Sequence, residues 1–83
     1  MDRYRVYLHL DLLETLPKRS EQKRKILNFI RSLEQNPFTK GDFTDKDSSL
    51  RTREIKIIGD HAITFWADHP VKSVMVVDIQ PAD

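Results

Sequence analysis

The chain has no cysteine among its 83 residues. Disulfides, thiolate metal sites and cysteine nucleophiles are thereby excluded. Glycine is scarce as well, with Gly41 and Gly59 the two in the chain. No phosphate-cradling glycine loop can be built from them. No apolar run approaches the length of a membrane span, and the charged N-terminal residues lack a signal-peptide core. A soluble, cytoplasmic protein without membrane contact is expected. A large excess of one charge is missing too: Lys and Arg number 14 against 13 Asp and Glu. A nucleic-acid-binding domain is usually more strongly basic. His9, His61 and His69 have no metal-ligand spacing, and the serines have no triad context, so neither a metal nor a cofactor is expected.

What is present fits one domain, residues 1–83, around one small core. Such a core is marginal alone, which leaves room for a partner chain. Charge is distributed unevenly. Lys18, Arg19, Lys23, Arg24, Lys25 and Arg31 crowd one segment against Glu21, and Arg51, Arg53 and Lys56 form a second basic cluster. Asp42, Asp45 and Asp47 form an acidic one.

Tyr4, Val6, Leu8 and Leu10 alternate with Arg3, Arg5, Tyr7 and His9, a period of two that predicts a half-buried edge strand over residues 4–10. Asp11 opens a short helix carrying Leu12, Leu13 and Leu16, which Pro17 ends. Ser20 is a good N-cap for a second helix, with Glu21 in its first turn. Ile26, Leu27, Ile30 and Leu33 then recur at helical spacing until Asn36-Pro37. Residues 38–49 are polar and read as a long loop. Residues 51–58, 62–67 and 72–79 are rich in β-branched and aromatic side chains and predict three strands joined by tight turns.

Gly59-Asp60 marks the turn between the first two of these strands. A two-residue loop would pair Lys56 with Ile63 and Glu54 with Phe65, mixing charge and large apolar groups on each face. A three-residue loop ending at His61 separates them. Ile55, Ile57, Ile63 and Phe65 then share one face; Glu54, Lys56, Ala62, Thr64 and Trp66 share the other. Such segregation favours the odd loop. On the last strand, Met75, Val77 and Ile79 are expected to face the helices, with Val74, Val76, Asp78 and Gln80 outward. The expected fold is α+β, in the order β-α-α-β-β-β, with an antiparallel sheet carrying two helices on one face. Trp66, Val74 and Val76 would leave apolar surface on the open face, and such patches mark binding sites.

This order of elements, with residues 4–10, Leu33-x-x-Asn36-Pro37, Gly41-Asp42, the hairpin from Glu54 to Asp68 and the run from Val74 to Ile79, resembles the RelE/ParE superfamily of bacterial toxins. The resemblance covers nearly the whole chain. It implies the toxin half of a toxin–antitoxin pair, held in check by a small antitoxin protein. RelE-like members cleave mRNA at the ribosome; ParE-like members inhibit DNA gyrase.

Carried over by position, the resemblance places Lys56 on a basic, outward position of the RelE-like ribonucleases. Glu54 stands where a second basic residue is common. Ala62 stands where an arginine is expected, and the chain ends at Ala82-Asp83 without the usual C-terminal arginine, histidine or tyrosine. Metal-independent RNA cleavage needs a base for the 2′-hydroxyl, cations for the charge that develops on phosphate, and an acid for the leaving oxygen. The expected catalytic residues are Lys56 and Arg53 for phosphate, with His61 or Glu54 moving the proton and Asp78 an alternative base. Arg51, Lys23, Lys25 and Trp66 are expected RNA contacts, Trp66 by stacking on a base. Trp66, Val74 and Val76 are expected antitoxin contacts. The alternative is a non-catalytic protein that binds gyrase or holds only its antitoxin.

Overall fold

The structure, a computed structural model, describes residues 3–82. Strand β1 (Arg5–Leu8) leads into a 3-10 helix (Leu10–Thr15) and then helix α1 (Ser20–Ser32). Strands β2 (Phe43–Lys46), β3 (Thr52–Ile58), β4 (His61–Asp68) and β5 (Ser73–Pro81) follow, with a short 3-10 turn (His69–Val71) before β5. They form one five-stranded sheet in the order β1-β5-β4-β3-β2. The class is α+β, as the residue pattern indicates. All pairings are antiparallel except β1 with β5, which is parallel.

The topology follows from that order. β1 and β2 lie at opposite edges, so the chain must cross the whole sheet before the meander returns. α1 begins beside the β3–β4 turn, where Gln22 Nε2 donates to the Ile58 carbonyl at 2.7 Å, and covers the middle of the sheet. Ile26, Ile30 and Leu33 point from it onto Ile63, Phe65, Val74, Val76 and Ile79, all buried. Phe29 meets Phe65 edge-on at 5.6 Å. Leu12 of the 3-10 helix and Leu16 just after it join the same core. Each large side chain so buried contributes about 1.5–3 kcal/mol. Among the described residues, no helix is long and apolar enough to cross a membrane.

Several expectations need correction. The first helix is 3-10 rather than α. Ser20 is the first residue of α1, and Arg19 sits at the cap without a side-chain bond. The polar segment after Pro37 is not all loop, since β2 lies within it. Asp47 organises the turn after β2: its Oδ1 accepts the Ser49 and Arg51 amides at 2.8 and 2.9 Å.

The β3–β4 loop has two residues, not three, because Ile58 pairs with His61. Gly59 sits at φ 61°, the left-handed conformation that the first position of a tight hairpin turn demands. Glu54 and Lys56 consequently share the face of Phe65 and Ile63, while Ile55 and Ile57 lie on the opposite face with Thr64 and Ala62. Segregation misled here because β3's polar side chains find partners on the helix side, where the segment before β2 brings Gly41 to Glu54 and Asp42 to Lys56.

The last strand is also corrected. A bulge between Thr64 and Phe65 pairs Thr64 with Asp78 but Phe65 with Val76, leaving Val77 extra. The faces of residues 74–77 are thereby exchanged. Val74 and Val76 are buried, and Val77 is exposed. Ile79 points to the core and Asp78 lies opposite Thr64 on the other face, as expected.

Candidate functional site

β3 carries three of the four expected catalytic residues, Arg53, Glu54 and Lys56, and the structure divides them between its two faces. On the helix side, the chain before β2 crosses close over β3. The Gly41 amide donates to Glu54 Oε1 at 2.7 Å, and the Asp42 amide donates to the Ile55 carbonyl at 2.8 Å. A Cβ on Gly41 would lie 2.5 Å from the Ile55 carbonyl oxygen, so glycine permits this approach. Asp42 Oδ2 accepts the Ile57 amide at 2.9 Å, and Asp42 Oδ1 lies 3.5 Å from Lys56 Nζ. The Ile57 amide, then Lys56, hold the Asp42 carboxyl below its ordinary range.

On the open side, Arg53 grips Asp45 with two hydrogen bonds, Nε to Oδ1 at 2.8 Å and Nη2 to Oδ2 at 2.7 Å. That fork lowers the Asp45 pKa and raises that of Arg53. Arg51 lies 3.5 Å from Asp47 and 3.9 Å over the Trp66 ring. Asp47 is held low chiefly by the backbone amide of Arg51, and then by that of Ser49. The acids at 42, 45 and 47 thus pair with the cations at 56, 53 and 51, symmetrically about Ser49. That symmetry is an antiparallel hairpin register written in charge, and it was available in the sequence as a signal for β2.

His61 lies at the other end of the sheet. It is buried, shares the face of Lys56 and Glu54, and pairs through Nδ1 with Asp60 Oδ1 at 2.8 Å. This bond is the main reason the Asp60 carboxyl is depressed. A hollow of about 320 Å³ adjoins it, bordered by Arg19, Gln22, Lys25 and Gly59. Lys25 is exposed and lies 3.7 Å from Glu21; Lys23 is exposed on the same helix.

Lys56, Glu54 and His61 are therefore on one face of the sheet, and Arg51, Arg53 and Trp66 on the other. Arg53 and Lys56 do not converge on a common point. Val74 and Val76 lie in the core, which corrects the outward placement on which their expected partner contact rested. The open face instead exposes Tyr7, Phe43 and Val77, beside half-buried Met75 and Trp66. Asp83 lies outside the described residues. Among the described residues, no group of His, Asp and Glu is arranged to hold a metal.

Sequence reasoning did not find a third cluster. The Tyr4 hydroxyl and His69 Nδ1 are 2.7 Å apart, and Phe38 stacks on His69 with centroids 4.6 Å apart and planes at 14°. Asn36-Pro37-Phe38 and Asp68-His69-Pro70 each read locally as a stop or a turn. Only the fold brings them together.

No protein-family model matches the chain, and no curated protein sequence matches it. Solved structures do resemble it. A chain in the crystal structure of the archaeal RelE–RelB complex from Pyrococcus horikoshii OT3 superposes with a TM-score of 0.75. Identity is 20%, over 95% of this chain and 94% of that one. A chain in the toxin–antitoxin complex RelBE2 from Mycobacterium tuberculosis gives a TM-score of 0.68 at 13% identity, over 96% of this chain and 99% of that one. The fold is that of these RelE-like structures along essentially its full length.

Proposed function

We propose that this chain is the toxin half of a toxin–antitoxin pair and represses translation in the cytoplasm by cleaving mRNA on the ribosome. The observation that carries this is the RelE-like fold over the whole chain, shared with structures solved as toxin–antitoxin complexes. The natural partner is a small antitoxin protein. The open face, with Trp66, Tyr7, Phe43 and Val77, offers it apolar surface.

In the reaction the 2′-oxygen attacks phosphorus, the bond to the 5′-oxygen breaks, and a cyclic phosphate and a 5′-hydroxyl result. A base takes the 2′-proton and an acid returns one to the 5′-oxygen. Lys56 is the cation that meets phosphate, exchanging its exposed partner Asp42 for the substrate. Glu54 or His61, on the same face, moves the proton. Arg51 and Arg53 hold more distant phosphates, with Lys23 and Lys25 on α1 adding long-range attraction.

A second reading, binding to gyrase or to an antitoxin without chemistry, is favoured by one observation. Lys56 and Arg53 are both engaged by aspartates and lie on opposite faces. Induced expression in bacteria separates the two. Arrest of amino-acid incorporation within minutes, with plasmid supercoiling unchanged, is the expected result. Loss of supercoiling with translation initially intact would move the assignment to gyrase. Growth without either defect would overturn the toxin reading.

A further inference from the structure

The Tyr4–Phe38–His69 cluster is built from parts of the chain that meet only in the fold, and the action proposed above uses none of them. Phe38 is 69% exposed even though one ring face lies on His69. Tyr4 stands edge-on to Phe38 at 6.2 Å and to His69 at 5.6 Å. Its hydroxyl bond to His69 fixes the imidazole plane. The loop beneath Phe38 is pinned as well: the Thr39 hydroxyl and amide both donate to the Asn36 carbonyl, at 2.6 and 3.1 Å. An exposed aromatic ring held this firmly is preorganised, so a ligand that stacks on it loses little further freedom.

Beside the ring is a pocket of about 220 Å³, bordered by Phe38, Lys40, Thr52, Glu54 and His69. Drug-sized ligands occupy roughly 300–1,000 Å³. This one suits a single flat ring. Its margin holds a cation, hydroxyls and an aromatic plane. Unpaired nucleotides are recognised with that combination: a base stacked on an aromatic face and its phosphate on a nearby lysine. A lone apolar or aromatic peptide side chain would use the aromatic plane but would bring no anion to the Lys40 ammonium.

We propose that, if RNA is the target as argued above, the Phe38–His69 platform and its pocket seat one unpaired RNA nucleotide, the base against Phe38 and the phosphate on Lys40. His69 acts as a positioning residue that holds the ring beneath the base.

The test uses the full chain, isotopically labelled, and a 2′-fluoro adenosine trinucleotide, which lacks the hydroxyl needed for cleavage. Saturable NMR shifts of the Phe38 and His69 rings are expected. Phe38→Ala should weaken binding about tenfold while the remaining spectrum stays in place, and Phe38→Tyr should restore it. Binding that leaves both rings unmoved, or that is equal for Phe38→Ala and the native chain, overturns the proposal. Ribosomal cleavage unaffected by Phe38→Ala also overturns it and leaves the toxin reading standing. Ring shifts without any cleavage of message would keep the nucleotide seat and remove the ribonuclease.

Discussion

Arg51 places its guanidinium 3.9 Å above the Trp66 ring while its Nη1 lies 3.5 Å from Asp47. One side chain thus ties the tip of the β2–β3 hairpin to the middle of the open face. A cation over an indole at an exposed site contributes about 0.5–1 kcal/mol. Arg51→Ala should lower stability by about 1 kcal/mol. Arg51→Lys should lose less. Urea unfolding followed by Trp66 fluorescence checks both, and the native-state emission should also change on losing the cation.

Acid should loosen the same hairpin. The carboxyls of Asp42, Asp45 and Asp47 all sit below their ordinary value of 3.8 in the folded chain. A depressed folded pKa gives stability that is present above the unfolded value and is lost as pH falls through the folded one. The urea midpoint should therefore hold steady from neutrality and decline as pH drops below about 4. The double variant Asp42→Asn, Asp45→Asn should start less stable and fall less steeply. A parallel decline in both proteins would show that these carboxylates do not carry the effect.

Gly41 is needed for a close approach rather than for an unusual backbone angle. In Gly41→Ala the new Cβ meets the Ile55 backbone at 2.5 Å. Backbone cannot rotate aside, so a loss of about 2 kcal/mol is expected. Exchange of the Ile57 amide, which Asp42 protects at 2.9 Å, should accelerate more than exchange in β4 and β5. Native-like protection at Ile57 would contradict this.

The bulge in β5 is tested by a pair of neighbours. Val76 is 2% exposed and Val77 36%. Val76→Asp buries an unpaired carboxylate and should prevent folding. Val77→Asp should fold, with stability changed by less than about 0.5 kcal/mol. Circular dichroism and expression in soluble form distinguish them. The opposite result would restore the simple alternation read from the sequence.

That alternation shows how far the sequence is legible. Period and composition locate β1, α1 and the last three strands, because their apolar residues are positioned by the single core that Phe65 and Val76 share. Three features escape. The two-residue turn at Gly59 sets β3's faces against the segregation of charge, and only the Gly41–Asp42 crossing makes Glu54 and Lys56 affordable there. The bulge opposite Phe65 is a register shift with no local residue signature. β2 is short and polar, so its strand character lies in pairing with β3, visible beforehand only as the mirrored aspartates and cations. For the site, residue type was readable and convergence was not. Arg53 and Lys56 are close in sequence, yet their odd separation of three sends them to opposite faces of a strand, and the turn decides which face is covered.

The most direct test of the central claim is primer extension on a defined message in a bacterial translation extract, with the native chain and with Lys56→Ala. The expected result is new cuts on ribosome-engaged message alone, absent from the same message without ribosomes. The Lys56→Ala chain should lower their yield by at least about 100-fold while remaining folded. Message that stays intact on translating ribosomes exposed to the native chain would contradict the account.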